Sequence, residues 1–429
     1  MRSCIKKPLL EGAREIPVEA SIGRQLTAEE DRMLLNQVKD VEIFPRLCLG
    51  TIKPCHLHTD GCPVRQVKDQ PCRFSFRCTD SIALDFLKYV RTEVTPIVAS
   101  QYDITHDCNI ECEGCFYYVG SDHGGRPEAT DRATIDSFFR AEAERGVNYA
   151  EVSGGEPALA EEKLAIMACH IPRGVIYTNG TVPISRDIRY SIQVSIWGMP
   201  RDDKKLRGAE IFTKQVRNYR DDDRAVFVFT ISHRTVDDIL AVTALCADTG
   251  IPLTYNHFSP TTDYLDRLAA PDGKRDNYFR FSSNDDNLIL TPSDLQRSED
   301  LIAEAMERYR EAVIYNPLFS RLIHNPEGFF RLDPASDVAI DCASRLKGTF
   351  KHFRVDLSAA DDVKCATPNI SCLHCRCYAQ SLGTAMQRQT RVPMQTGLND
   401  WIALWRLWCD LFLPGRHSFT RSASLMQGQ

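Results

Sequence analysis

The sequence predicts an α/β protein whose core is a partial (β/α)6 barrel of the TIM type. A cysteine-rich N-terminal extension precedes that core and an α+β region follows it. Three observations predict this. Short apolar runs alternate with amphipathic helical stretches from Ile97 to His257, an order that implies right-handed βαβ crossovers. One run, Ala225-Val-Phe-Val-Phe-Thr-Ile-Ser232, is apolar almost throughout, as strands of parallel sheets are. Clusters of glycine, cysteine and small polar residues fall just after the strands, at the carboxyl ends where the loops of such barrels converge.

The extension, residues 1–95, opens with charged, helix-compatible sequence in which Thr27-Ala-Glu-Glu30 fits a capping box ahead of Met33-Leu-Leu35. Cys48, Cys55, Cys62, Cys72 and Cys78 follow, with His56 and His58 among them, on a stretch punctuated by Gly50, Pro54, Gly61, Pro63 and Pro71. Cys55-His56-Leu-His58-Thr-Asp-Gly-Cys62 can bind zinc or a second cluster; structural thiols are the alternative.

In the core, residues 96–260, Ile97–Ile104 is the first strand. A helix over 130–145 carries Ile135, Phe138, Phe139 and Ala143 and ends before Gly146. Strands are expected at 149–152, 174–177, 191–196, 225–232 and 251–257. Helices are expected at 161–169, 212–219 and 235–249, the last closed by Gly250. Cys169 is expected to be a buried packing residue.

Residues 261–340 form a third segment. Thr261–Leu290 is polar and turn-rich, and Thr291-Pro-Ser-Asp294 opens a helical run to about Ala312. That run is expected to close the barrel's open side, as a lid or as plain packing. In residues 341–429, Phe353–Leu357 and Asp362–Lys364 read as a hairpin running into Cys365. Trp401, Trp405 and Trp408 share one helical face, which is read as packing.

Composition narrows the class. The chain has 429 residues, 43% hydrophobic and 26% charged, which fits a globular protein of two or three domains. A net charge of −6 provides no electrostatic footprint for nucleic acid or an anionic membrane. The mixed runs Arg201–Lys205 and Arg217–Arg224 read as solvated faces. Ile402–Pro414, broken by Arg406 and Asp410, is too short to span a bilayer. The first residues, Met1-Arg-Ser-Cys-Ile-Lys-Lys-Pro8, lack an apolar signal core, so the 17 cysteines point to metal in a reducing compartment. The protein is therefore expected to be cytoplasmic and oxygen-sensitive.

The chemistry centres on Asp103-Ile-Thr-His-Asp-Cys108-Asn-Ile-Glu-Cys112-Glu-Gly-Cys115-Phe-Tyr-Tyr118. Three thiolates on so short a loop can converge on three corners of a cuboidal iron–sulfur cluster, leaving the fourth iron open. A structural zinc site normally closes with four ligands. A zinc knuckle or three packed thiols are the alternatives. Further on, Tyr149-Ala-Glu-Val-Ser-Gly154-Gly155-Glu156-Pro157 is a strand ending in a glycine pair, which permits close backbone approach, and a carboxylate able to accept from an ammonium group.

With Tyr177-Thr178-Asn179-Gly180 and Gln193-Val-Ser195-Ile-Trp197-Gly198 after them, these motifs make Pro96–Pro260 resemble the radical S-adenosylmethionine superfamily. Two positions depart from it: Gly114 stands where an aromatic is common, and Trp197 where an aspartate is. The resemblance implies a 4Fe–4S cluster on Cys108, Cys112 and Cys115, with S-adenosylmethionine on the open iron. It implies that Gly154, Gly155 and Glu156 hold the methionine amino group, and that Thr178, Asn179 and Ser195 bond the cofactor's ribose or carboxylate. It further implies an electron donor such as flavodoxin or ferredoxin, and a 5′-deoxyadenosyl radical that abstracts hydrogen from the substrate. No residue is assigned to the substrate radical; Tyr117 and Tyr118 are candidates.

Cys342, Cys365 and Cys372-Leu-His-Cys375-Arg-Cys377 resemble, more loosely, the SPASM and twitch extensions that hold auxiliary iron–sulfur clusters. Ala359-Ala-Asp-Asp362 replaces the glycine hairpin of that family. Five thiols suffice for one such cluster, and a Cys4 zinc site is the alternative. An auxiliary cluster implies oxidative tailoring of a peptide, protein side chain or natural-product intermediate. A non-catalytic iron–sulfur or zinc protein, a sensor or assembly factor, is the competing class. It would have no use for Gly154–Pro157 or for the polar strand ends.

Overall fold

All six expected strands form, side by side and parallel: β1 (Ala99–Asp103), β2 (Tyr149–Ser153), β3 (Arg173–Thr178), β4 (Ser191–Ile196), β5 (Ala225–Ile231) and β6 (Leu253–His257). The structure is a computed structural model that describes residues 89, 90, 94, 97–119, 126–270, 275–345, 350–360, 365, 369–389 and 394–414. Cys48, Cys55, Cys62, Cys72 and Cys78 lie outside the described residues. So do Asp362–Lys364 and the Thr27 capping box.

A seventh strand, β7 (His352–Phe353), adds in parallel to the free edge of β1, giving the order β6-β5-β4-β3-β2-β1-β7. The edge of β1 supplies the reason, since its Gln101 N–H donates to Lys351 O at 2.8 Å. β7 also turns back antiparallel onto Ala359, with Arg354 N donating to Ser358 O (2.9 Å) and Ala360 N to His352 O (2.8 Å), so the returning arm lies a few residues before the expected one. The sheet is open, as in a partial barrel.

The helices are α1 (Arg132–Glu144), α2 (Glu161–His170), α3 (Pro200–Arg207), α4 (Phe212–Tyr219) and α5 (Ile239–Thr249), then α6 (Thr262–Ala269), α7 (Pro292–Arg308), α8 (Pro317–Ile323), α9 (Tyr378–Gln389) and α10 (Met394–Phe412). Alternate strand residues, among them Tyr102, Val152, Ile176, Val194, Phe227 and Tyr255, form one core with Phe139 of α1, Met167 of α2, Val242 of α5 and Ile302 of α7. The crossover helices thus pack on a single face, which is barrel winding and not the doubly wound arrangement.

The other strand residues face the opposite side: Gln101, Asp103, Glu151, Ser153, Tyr177, Gln193, Ser195, Thr230 and Asn256. This inner face is polar. Its lower end is covered by the last turn of α10, where Leu411 O accepts from Ser191 Oγ and Gln193 Nε2, both at 2.8 Å, and Phe412 O accepts from Tyr149 Oη at 2.7 Å.

Three further expectations change. Helix α7, started by a Thr291–Asp294 capping box, does not close the open side; its Leu301, Ile302 and Ala305 join the core beside α5. Cys169 is exposed, because the inward stripe of α2 is Leu164, Ile166 and Met167. The mixed charge runs are only partly solvated: Asp203 and Arg207 are each 1% exposed, and Asp222 and Arg224 pair at 2.6 Å in the interior. The tryptophan face does pack, with Trp408 6.2 Å from Trp405 and 5.5 Å from Phe412 between ring centroids.

Residues 93–387 with 403–429 form one compact unit. Residues 1–92 with 388–402 form another, of which 89, 90, 388, 389 and 394–402 are described. Among the described residues no helix is long and apolar enough to cross a membrane.

Candidate functional site

Strand β1 ends at Asp103 and releases a loop, residues 104–118, that carries Cys108, Cys112 and Cys115. The end of β2 is pressed against it. Ile104 N donates to Ser153 O (3.0 Å), Gly155 N to Thr105 O (2.8 Å) and Glu156 N to Asp107 O (2.6 Å). Gly154 has φ +118°, open to glycine at little cost, and a Cβ there would sit 2.6 Å from Thr105 O. A Cβ on Gly155 would sit 2.6 Å from His106 O and closer still to Asp107 O. The glycine pair therefore serves a backbone-to-backbone contact between the two loops.

Glu156 is 1% exposed, and its carboxylate is engaged within the protein. Oε1 accepts from Ala158 N (3.0 Å) and Thr178 Oγ1 (2.6 Å), and Oε2 accepts from Asn179 N (2.6 Å). It thus ties the β2 turn to the end of β3. Asn179 carries the tie onward: Nδ2 donates to Asn109 Oδ1 at 2.8 Å and lies 4.0 Å from Cys108 Sγ. Ser195, at the end of β4, accepts from Trp197 Nε1 at 3.1 Å. Glu156, Thr178, Asn179 and the glycines are brought together beside Cys108. Ser195 joins them through Gln215, whose Nε2 donates to Asn179 O (2.7 Å) and Ser195 O (2.8 Å).

The three thiols sit close enough to oppose one another's ionisation. Burial pushes Cys108 up to about 11 and Cys115 up to about 12, and it raises Cys112 as well. Thiolates are the metal-binding form, so ligation here releases protons. At Cys112 the Arg207 guanidinium works against burial. This arginine, at the end of α3, bonds the thiol, donates to Ser195 O and lies 3.5 Å from Asp203. Its position just after the mixed charge run Arg201–Lys205 gave no sequence signal.

Glu113 was also missed. Its carboxylate is fully buried and accepts from Arg280 N (2.8 Å), Ser282 N (3.0 Å) and Phe281 N (3.4 Å), fastening residues 280–282 onto the cysteine loop. The departure at Gly114 is compensated from the same side. Rings of Phe258 and Tyr264 fill the space its side chain would take, 2.9 and 3.1 Å from the Cβ position. Tyr118 donates to His106 O and stacks on Tyr278 at 4.5 Å, and Tyr117 Oη lies 3.1 Å from His106 Nδ1. Both tyrosines brace the loop.

A second cysteine cluster lies at the end of β6. Cys342, Cys365, Cys372, Cys375 and Cys377 line one pocket, together with Phe330, Val338, Ala339 and Ile370. Arg376 N donates to Ser259 Oγ (2.9 Å) and Tyr378 N to Asn256 Oδ1 (3.1 Å), which fixes the last of these cysteines to the barrel. The Cys375 thiol bonds Cys377 sulfur, which raises Cys375 and holds Cys377 below the usual thiol range. Among the described residues no three His, Cys, Asp or Glu side chains close on a point as a single ion requires.

No protein-family model matches the chain, and no curated protein matches it. Among solved structures it is similar to Streptococcus suis SuiB, at 14% identity and TM-score 0.41 over 60% of this chain and 58% of that one. The chain thus spans 58% of the length of SuiB, whose complex with the precursor peptide SuiA matches with TM-score 0.39 over the same shares, also at 14% identity. It is also similar to anSMEcpe with bound AdoMet and Kp18Cys peptide, at 15% identity and TM-score 0.42 over 75% of this chain and 94% of that one.

Proposed function

We propose that this chain is a radical S-adenosylmethionine enzyme that tailors a peptide or natural-product substrate, with residues 96–260 as its catalytic core and 341–429 as an accessory region. One observation carries the reading. The Gly154-Gly155-Glu156 turn is bonded backbone to backbone onto the loop of Cys108, Cys112 and Cys115, at the carboxyl end of a parallel sheet wound as a barrel. A bare metal-binding loop needs no such partner.

The residues present fit a 4Fe–4S cluster on these three thiols: they are mutual neighbours, and an arginine already meets Cys112. Held by Cys108, Cys112 and Cys115, such a cluster would supply the one-electron reduction by which S-adenosylmethionine is cleaved at a carbon–sulfur bond to methionine and a 5′-deoxyadenosyl radical. The protein's part is to bind and orient. Gly154 and Gly155 let the β2 turn lie directly against the cysteine loop, so that its backbone would stand beside the methionine amino group of a cofactor held there. Glu156 holds that turn to Thr178 and Asn179, which with Ser195 line the approach to the ribose or carboxylate.

The five cysteines around one apolar-lined cavity support an auxiliary iron–sulfur cluster on four of Cys342, Cys365, Cys372, Cys375 and Cys377. An electron donor of the flavodoxin or ferredoxin kind and a cytoplasmic location complete the proposal. The test is 5′-deoxyadenosine formation by anaerobically reconstituted protein given reductant and S-adenosylmethionine, beside the triple variant Cys108→Ala, Cys112→Ala, Cys115→Ala. Product from the wild type alone is expected. A wild type that binds no S-adenosylmethionine returns the chain to the metal-protein class.

A further inference from the structure

The inner face of the sheet is arranged in rows set by strand register. Gln101, Glu151, Val175 and Ser191 form one row, and Asp103, Ser153, Tyr177, Gln193 and Val226 the next one up. In the upper row Asp103 accepts from Ser153 Oγ (2.9 Å) and bonds His352 Nε2 (2.9 Å). Glu151 in the lower row differs. Among the described residues its carboxylate has no hydrogen bond and no ion pair, and the residue is partly exposed on the inner face, open to a ligand.

Its neighbours come from three elements: Tyr149 on β2, Tyr177 on β3, and Tyr378 at the start of α9, each of whose ionisation its charge opposes. Tyr378 is 6% exposed and its hydroxyl has no partner. One row up, Gln193 is 1% exposed and its Oε1 has none either. Buried polar atoms are nearly always paired, so the Tyr378 hydroxyl and the Gln193 oxygen lack a partner that a ligand on the same face as the Glu151 carboxylate could supply. Three unpaired oxygen-bearing groups on one inner face describe a receptor for hydrogen-bond donors carrying positive charge.

We propose that Glu151, with Tyr177 and Tyr378 beside it, is a subsite that receives a cationic nitrogen of the substrate, an ammonium or guanidinium group. This rests on the barrel being the substrate-holding core of the enzyme proposed above. A carboxylate aligned with a cation forms charge-assisted bonds, and tyrosine faces add cation–π attraction. The occupied state then supplies the pairing that the protein alone lacks.

Proton linkage gives the subsite a signature. Burial raises Glu151 to about 7, with Cys377 and Arg173 the other ionisable groups near its tyrosine neighbours. Only the ionised carboxylate holds a cation, so affinity falls as pH drops below about 7, by up to tenfold per unit.

The test uses the reconstituted holoenzyme and two probes of one shape, n-hexylammonium and n-hexanol, titrated by calorimetry at pH 6 and pH 8. The wild type is expected to prefer the ammonium at least tenfold at pH 8, and less at pH 6. Glu151→Gln is expected to lose the preference while unfolding at the same temperature as the wild type or above it. Equal affinity for both probes, a preference that survives in the variant, or a variant that unfolds at markedly lower temperature each overturns the subsite. The last would mark the carboxylate as a structural partner. 5′-Deoxyadenosine formation by the same wild-type preparation keeps the two readings apart: a failed preference with product formed sinks the subsite alone.

Discussion

Single side chains at this site do two jobs, and burial separates them. Glu156 is already bonded to Ala158, Thr178 and Asn179, so its place in the Gly-Gly-Glu-Pro motif is explained by holding loops together before any ligand is considered. Arg207 and Asp203 form a buried pair 3.5 Å apart, and Asp203 Oδ1 also accepts from Trp197 N at 2.7 Å. Arg207 Nε and Asp203 Oδ2 have no hydrogen-bond partner among the described residues, so each charge is balanced chiefly by the other through Nη1 and Oδ1. Removing one member of such a pair leaves a buried charge, which costs about 3–5 kcal/mol. Arg207→Met is therefore expected to lower the unfolding free energy by about that amount in urea titration, and Arg207→Lys by less, because the charge stays. A loss under about 1 kcal/mol in the methionine variant would show that Arg207, through its bond to the Cys112 thiol, does not hold α3 to the cysteine loop.

At the scale of elements, β6 meets α7 and α8 through two buried histidines. His324 Nδ1 donates to Ser320 O (2.7 Å), so its Nε2 is the acceptor facing His257 Nε2 at 3.0 Å, with Ser298 Oγ beside both. Burial pushes His324 down to about 4 and His257 well below its ordinary value, with the Arg376 charge acting in the same direction on both. Ser320 and Asp300 oppose the shift at His324 without reversing it. Both histidines are neutral when folded. The unfolded chain takes up protons below about pH 6.5 that the folded one refuses, so stability falls as pH drops from about 6.5 toward 4. The slope is about 1.4 kcal/mol per pH unit for each histidine. Urea midpoints at pH 7 and pH 5 check this, and equal midpoints would contradict it. None of this was legible in sequence, where His257 and His324 lie 67 positions apart with no shared motif. The strands were legible, because Phe227, Phe229 and Ile231 repeat with the period of a buried strand and Gly250 ends the helix before the next. What escaped were contacts set by tertiary packing: the β7 edge, the inward turn of Asp203 within a charged run and of Arg207 just after it, and Cys169 facing out from α2.

For the whole molecule, what matters is how the C-terminal cysteines are attached to the barrel. The segment from Asn369 to Tyr378 runs along the end of β6: Thr262 N donates to Asn369 O (2.7 Å), Ser371 N to Pro260 O (3.0 Å), and Arg376 N to Ser259 Oγ (2.9 Å). Cys342 is anchored separately, with Ala343 N donating to Thr384 Oγ1 of α9 at 2.9 Å. The cavity these cysteines line is therefore held from two directions, and its bonds to the barrel are backbone bonds that survive loss of a thiol. The loop of Cys108, Cys112 and Cys115 takes its own support from β2, β3, α3 and residues 280–282, none of which belongs to the second cavity. The two cysteine sites should then fail independently. Cys372→Ala with Cys375→Ala is expected to lower bound iron in anaerobically reconstituted protein while 5′-deoxyadenosine formation persists. Iron content unchanged, with zinc found in both proteins, would make the second cavity a zinc site. Loss of 5′-deoxyadenosine along with the iron would mean that the second site supports the first through a coupling that the bonding pattern does not contain.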